Sequence, residues 1–314
     1  MADQSISVLI VGATGRLGEQ ITRQCLKRPN LRVNILVRDP SKNKELCQEV
    51  EKAGGKCIQG DITKPETITD CTKGIHTVIS TVIGSNEVVL DGQKNLLDDA
   101  LKNGVKRFVP SDFSFDIFNM NLGEHYFTDQ RLKFRILLDN SGILPLHVSN
   151  GFFMEAYFYL NPDKFSYWEN IDQKIDLTMQ EDVGKYVAAA VSNPNRWGDL
   201  KIVGDEKSTR EIVEIFNKIT GKNFKAVNQG TIEDLINFSK EMKKQGKLYE
   251  SIQSGYAIPV YSGKGKILKK DNNEFPDIKP ITVEEFVKKY YGKIEYDFPI
   301  PHIVDKARDE ILAS

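Results

Sequence analysis

The sequence predicts an α/β protein built on a doubly wound parallel sheet. Three observations carry that prediction. A branched apolar run, Val8-Leu9-Ile10-Val11, stops at a glycine, and two more follow at three-residue spacing: Gly12, Gly15 and Gly18. A segment with helical periodicity, residues 19–28, comes straight after them. Strand-like and helix-like segments then alternate as far as about residue 150, the rhythm of strands joined by crossover helices.

The first of these elements carries chemistry as well as fold. Strand, glycine turn and helix in that order are what a dinucleotide phosphate site requires. Gly12 permits the tight turn, Gly15 lets the backbone approach a pyrophosphate, and Gly18 lets the new helix pack closely on the strand. Thr14, Arg16 and Leu17 complete the loop as cofactor-binding candidates.

The next elements follow in order. Residues 32–37 read as the second strand, 41–52 as a helix and 55–58 as a short third strand. Thr63-Lys64-Pro65-Glu66 has the form of a capping box with an early proline, opening a brief helix. Residues 75–80 make the fourth strand, and a long amphipathic helix over 87–103 ends at Gly104, a fitting C′ residue. Residues 106–110 form the fifth strand, and 142–148 contain a sixth.

After residue 150 the rhythm changes. A strand at 174–177 precedes a helix near 181–192, and Ser208–Glu211 and Thr282–Glu285 are capping boxes before helical apolar patterns. Residues 262–270 and 271–280, rich in Lys, Gly, Asn and Pro, read as loops. The division expected is a nucleotide-binding domain over 1–150 and a smaller, helix-rich α+β substrate portion over 151–314.

Composition narrows the function classes. The 314 residues are 40% hydrophobic and 28% charged, with a net charge of −1 and no long basic run. A nucleic-acid or anionic-membrane partner is therefore not expected, and no apolar stretch approaches a membrane span. Residues 1–4 lead straight into the first strand with no room for a secretory signal, so a cytoplasmic location is expected. Cys25, Cys47, Cys57 and Cys71 contain no C-x-x-C and read as free, mostly buried thiols, with redox sensing by one of them the alternative. His76, His125, His147 and His302 show no metal-ligand spacing, and no metal is expected.

The choice of dinucleotide is made at the end of the second strand. An acidic residue there pairs with the ribose 2′-hydroxyl, and a basic one accepts a 2′-phosphate. Arg38 ends the strand, with Lys42 one turn on and Arg16 in the glycine loop. Three cations near one phosphate favour NADP(H), because a guanidinium meets phosphate in a bidentate fork; a solvated charge cluster is the alternative. An acidic residue, Asp39, follows Arg38 directly. Asp61, Ser80 and Thr81 close strands three and four on the edge where adenine and ribose belong.

At residues 105–113, Val-Lys-Arg-Phe-Val-Pro-Ser-Asp-Phe, the chain resembles the NmrA-like and isoflavone-reductase-like group of atypical short-chain dehydrogenases/reductases. That family carries V-K-R-F-x-P-S-E-F-G, which matches here with Asp112 for Glu and Ser114 for Gly. Gly151-Phe152-Phe153-Met154 is similar to the family's G-F-F-M segment, and Asp182-Val183-Gly184 to its later D-I/V-x motif. The motifs cover roughly the first 200 residues, within a family domain expected over about 5–250. The resemblance implies a Rossmann-type domain, NADPH and, in the plant reductases, hydride transfer to phenylpropanoid-like aromatics. Other members reduce quinones, and NmrA itself is a dinucleotide-binding regulator, so fold alone does not choose.

The plant reductases place a lysine within K-x-K-x-x-R on the helix after that segment. Counted back from Gly142, it falls on Arg131, followed by Lys133 and Arg135. Arginine stays protonated in proteins and cannot act as a general base. Lys133, two residues on, faces about 200° around the helix and reads as a solvated lysine. None of the 11 tyrosines has a lysine four residues later. Arg131 is then a clamp on a developing oxyanion, with the proton from water or substrate. Ser111 stands beside the expected nicotinamide, where it serves the carboxamide or substrate, or caps a turn. Phe113, Phe115, Phe152, Phe153, Met154 and Tyr157 suggest a pocket for an apolar or aromatic molecule, or else core.

Two functions are carried forward. One is an NADPH-dependent reductase of a small aromatic, carbonyl or quinone-like compound. The other is a non-catalytic NAD(P)-sensing regulator that binds a protein partner. A monomer or homodimer suits either.

Overall fold

The computed structural model describes residues 5–161, 164–293 and 300–314. Residues 1–4, read above as leading directly into the first strand, lie outside them.

In chain order the main elements are β1 (Ile6–Val11), α1 (Arg16–Leu26), β2 (Leu31–Val37), α2 (Lys44–Lys52), β3 (Cys57–Gln59), β4 (Thr77–Ser80), α3 (Gln93–Lys102), β5 (Arg107–Val109), α4 (Tyr126–Asp139) and β6 (Leu144–Ser149). There follow β7 (Phe152–Phe153), α5 (Met154–Tyr159), β8 (Lys164–Tyr167), β9 (Lys174–Thr178), α6 (Gln180–Val191), β10 (Gly198–Lys201), β11 (Asp205–Ser208) and α7 (Thr209–Thr220). The last are β12 (Lys225–Asn228), α8 (Ile232–Lys244), α9 (Leu248–Tyr261), α10 (Val283–Tyr290), α11 (Ile300–Lys306) and α12 (Arg308–Ala313).

Seven strands form one sheet in the order β10-β6-β5-β4-β1-β2-β3. The pairs β1–β2, β1–β4, β2–β3, β4–β5 and β5–β6 all run parallel. The order reverses between β1 and β4, the topological switch point at which such sheets bind ligands. β1 and β4 are buried almost throughout, which explains their unbroken apolar runs where a half-exposed strand would alternate. The expected doubly wound α/β sheet is the fold observed.

The chain divides into two compact units. The first comprises residues 1–113, 130–148 and 180–200, and the second 114–129, 149–179 and 201–314. The first holds the sheet, with a core built around Leu9, Val78, Phe108, Phe134 and Leu138. In it α1 packs on α6, and Gly184 makes that approach possible: a Cβ there would lie 3.0 Å from the Gln20 backbone. The second unit has an aromatic core around Phe158, Phe165, Phe216 and Phe286, and a smaller cluster around Phe127, Leu248 and Ile252.

Both capping boxes expected in this half form, at Ser208 for α7 and Thr282 for α10, and Thr231 with Asp234 makes a third for α8. The box expected at Thr63 does not form. Thr63 turns back to Asp61, donating from its amide (3.0 Å) and hydroxyl (2.9 Å), and Pro65 starts a short 3₁₀ turn with no side-chain cap. The long helix after β4 opens with a π-helical turn over Glu87–Gly92 before α3.

The expectation of four free thiols is corrected. Cys47 on α2 and Cys57 on β3 form a disulfide with Cα atoms 5.2 Å apart, within the usual range. The crossover brings the two together, and no sequence spacing marks the pair. Cys25 and Cys71 are free and buried. Among the described residues, no helix is long and apolar enough to cross a membrane, and no group of three or more His, Cys, Asp or Glu could hold a metal ion.

Candidate functional site

The switch point of the first unit is built from the glycine turn. Gly12 has φ +81°, a conformation that side chains resist. The Gly15 amide donates to the Gly12 carbonyl at 2.9 Å, closing the turn. A Cβ on Gly18 would come within 2.1 Å of that same carbonyl oxygen, so only glycine lets α1 start this close to β1. Thr81 ties the turn to β4, donating from its hydroxyl (3.0 Å) and amide (2.9 Å) to the Val11 carbonyl.

Gly15 differs from its two neighbours. A Cβ there would meet only the Gly12 oxygen, at 3.3 Å, and faces open space otherwise. Gly15 is also the N-cap of α1 and gives its first turn no side-chain cap. Uncapped amides at a helix N-terminus, beside a backbone stripped of Cβ atoms, form a site for a phosphate. Thr14, Gly15 and Arg16 are exposed there, and Leu17 is half-buried. Ser80 closes β4 with a buried hydroxyl that has no hydrogen-bond partner. The donors and space present therefore fit a dinucleotide.

Arg38 is exposed at the end of β2. Lys42 lies on the following turn with its side chain 81% exposed, 3.8 Å from Asp39. The Asp39 carboxylate accepts from the Ser41 hydroxyl (2.6 Å) and amide (3.0 Å). Those bonds to Ser41 hold it below the usual carboxylate range. Asp39 thus caps the turn that follows, with its other oxygen toward Lys42. The Asp61 carboxylate is likewise engaged by Thr63.

At the exit of β5, Ser111 is buried and fixed on every polar group. Its amide donates to the Gln93 side chain (3.0 Å), its hydroxyl to the Val82 carbonyl (2.7 Å), and its carbonyl accepts from Arg131 Nε (3.2 Å). The Ser111 hydroxyl is thus a loop tie. Arg131 is half-buried on α4 and Lys133 exposed. Beside Arg131, the Gln130 amide nitrogen approaches the Gly84 carbonyl (3.4 Å) while its side-chain oxygen is buried without a partner. Gln93 therefore steadies the exit of β5 and Gln130 the segment after β4, and the sequence offered no signal for either.

Two further buried ionic groups escaped the sequence reading. Arg107, 1% exposed in β5, donates to Thr77 Oγ1 (3.1 Å) and to the carbonyls of Val191 (2.7 Å), Asn193 (2.6 Å) and Arg196 (2.7 Å). It caps the C-terminal end of α6, where a cation suits the helix dipole. Burial, with Arg196 nearby, pushes its pKa down to about 10. His147, 1% exposed in β6, contacts a carboxylate at each ring nitrogen: Asp112 at Nδ1 (2.6 Å) and Asp139 at Nε2 (3.0 Å). The motif residue Phe113 is also buried in this unit.

In the second unit, Met154 and Tyr157 lie in the aromatic core, and Phe152 packs against it half-exposed. Phe153 is half-buried. Phe115 and Phe152 line a cavity of about 10 Å³ with Lys174, Asp176, Val260 and Lys266, room for about one water.

Fold and site together define a Rossmann-type α/β protein whose glycine turn fits a dinucleotide. A sequence profile of the NmrA-like family matches residues 4–287, so the chain belongs to the NmrA-like family. The match runs well past the first 200 residues on which the motifs are readable. Pinoresinol reductase 1 of Arabidopsis thaliana is 24% identical over 90% of this chain and 96% of its own. Phenylcoumaran benzylic ether reductase IRL1 of Ginkgo biloba is 25% identical over 90% and 98%. The leucoanthocyanidin reductase–NADPH complex of Vitis vinifera superposes with a TM-score of 0.77 over 91% of this chain and all of that one, at 22% identity, a likeness of fold.

Proposed function

We propose that this protein is an NADPH-dependent reductase of a small aromatic, phenylpropanoid-type or quinone-like compound. The observation that carries the reading is the uncapped start of α1 beside the open face of Gly15, with Arg38 and Lys42 exposed after β2. Relatives whose names are reductases across nearly the whole chain support the same activity.

In this reading the amides of Arg16, Leu17 and Gly18 receive the pyrophosphate, and Arg38 and Lys42 hold the 2′-phosphate. Asp61, Ser80 and Thr81 flank the adenosine side. When bound, NADPH supplies a hydride. Arg131, anchored through Nε on the Ser111 carbonyl, stabilises negative charge that develops on the acceptor oxygen. Arginine is not a proton donor or general base in proteins, so the proton added to the product comes from water or the substrate. The residues proposed for substrate are Phe113 in the first unit and, in the second, Phe115, Phe152, Phe153, Met154 and Tyr157. A cytosolic location goes with this cofactor.

A specific observation favours a second reading. Arginine stands where the plant reductases carry lysine, and no tyrosine is followed by lysine at the fourth position. A dinucleotide-sensing regulator that binds a protein partner needs neither. NADPH consumption against quinones, aldehydes and phenylpropanoids separates the two: turnover of any acceptor supports the reductase, and tight binding with no turnover supports the sensor.

A further inference from the structure

His147, 1% exposed, is a buried ionisable side chain that the proposed chemistry does not use. An imidazole has two ring nitrogens, and a carboxylate can only accept. With Asp112 at 2.6 Å from Nδ1 and Asp139 at 3.0 Å from Nε2, both contacts become hydrogen bonds only when both nitrogens carry protons. The arrangement is therefore built for an imidazolium.

The groups facing it come from two elements. Asp112 follows β5 and is 3% exposed. Asp139 ends α4, where Arg135, one turn earlier, holds its other oxygen at 3.2 Å and reaches Asp199 on β10 at 3.4 Å. Burial opposes the charge on His147, as does Arg135, but the hydrogen bonds to both aspartates and the charge of Asp112 prevail, and the net shift is upward from 6.5. The sign follows. A raised folded-state pKa gives a contribution that is complete below pH 6.5 and lost as pH rises through the folded value.

What this pair holds is the exit of β5. Asp112 is joined to Ser111, whose amide, hydroxyl and carbonyl are pinned by Gln93, Val82 and Arg131. His147 is the fourth anchor and the one whose charge can change with pH. We propose that His147 is a positioning residue: as an imidazolium between Asp112 and Asp139 it fixes the β5 exit in the shape that dinucleotide binding uses, and loss of its proton frees that segment. The proposal rests on the dinucleotide-binding reading above for its effect on affinity.

The test follows the His147 ring nitrogens by long-range 1H–15N NMR while NADPH affinity is measured between about pH 7 and 9. The cofactor's own 2′-phosphate loses its last proton near pH ~6, below that window. The expected result is an imidazolium at pH 7 and an affinity that falls about tenfold as His147 titrates, with Asp139→Asn moving both transitions down by about one pH unit. Asp139 sits at a helix end with its side chain 38% exposed, so D139N keeps the test open should His147→Gln fail to fold. A neutral ring at pH 7, or an affinity flat through its titration, overturns the proposal. If no NADPH binds at any pH, the functional reading fails instead, and hydrogen exchange of the Ser111 and Asp112 amides decides. Corrected for intrinsic rate, acceleration on deprotonation supports the role of His147, and unchanged protection refutes it.

Discussion

Gly18 lies so close to Gly12 that a Cβ on the former would sit 2.1 Å from the carbonyl oxygen of the latter. Gly15, midway between, has open space before it. One loop thus contains a glycine kept for packing and another left free for a ligand. Gly18→Ala is expected to destabilise the fold by about 2 kcal/mol or more, since the backbone must move. Gly15→Ala is expected to leave stability within about 0.5 kcal/mol and weaken NADPH at least tenfold. Thermal denaturation and cofactor titration of both variants check this; normal NADPH affinity in Gly15→Ala would remove the phosphate from that loop.

The exposed cations after β2 set the choice of cofactor. With Asp39 occupied by Ser41, Arg38 is the group offered to a 2′-phosphate. Arg38→Asp should weaken NADPH by about 30-fold or more and leave NADH nearly unchanged. Equal losses for the two cofactors would refute the assignment.

Arg131 separates charge stabilisation from proton transfer. If it clamps an oxyanion, Arg131→Met lowers kcat about 100-fold on any acceptor that is turned over. An unchanged kcat in the methionine variant would take Arg131 out of the chemistry.

Arg107 is a structural cation. Replacing it by methionine strands the carbonyls of Val191, Asn193 and Arg196 and the Thr77 hydroxyl. The expected loss is more than ~3 kcal/mol of stability in urea unfolding. A loss below 1 kcal/mol would show that water replaces those bonds at the end of α6.

The thiols should react in two classes. Burial pushes Cys25 up to about 12, and burial with the charge of Asp99 does the same to Cys71, so neither offers thiolate near neutrality. A thiol reagent should label nothing in the folded, oxidised protein, the half-buried Cys57 after reduction, and all four once the protein is both reduced and unfolded. Labelling of Cys25 in the folded protein would contradict its burial.

The sheet was legible because its signals are local. Gly12, Gly15 and Gly18 after an apolar strand fix one βα unit, and the boxes at Ser208 and Thr282 declare helix starts within four residues. What stayed hidden depends on pairing across the fold. Thr63 has the form of a cap, but Asp61 two residues back competes for it. Cys47 and Cys57 meet only because a crossover returns β3 beside β2. Arg107 and His147 read as an ordinary strand cation and a scattered histidine, since their partners lie 84 and 35 residues away in sequence. The aromatic run at residues 152–157 shows the opposite limit: its pattern serves core and pocket alike, and Met154 and Tyr157 are core.

NADPH binding is the centre of the proposed function. Cofactor binding followed by fluorescence, with NADPH oxidation then measured on quinones, aldehydes and phenylpropanoids, tests it most directly. Micromolar or tighter NADPH binding, at least tenfold stronger than NADH, with oxidation on at least one aromatic acceptor, is the predicted result. No binding of either dinucleotide would contradict the account at its root.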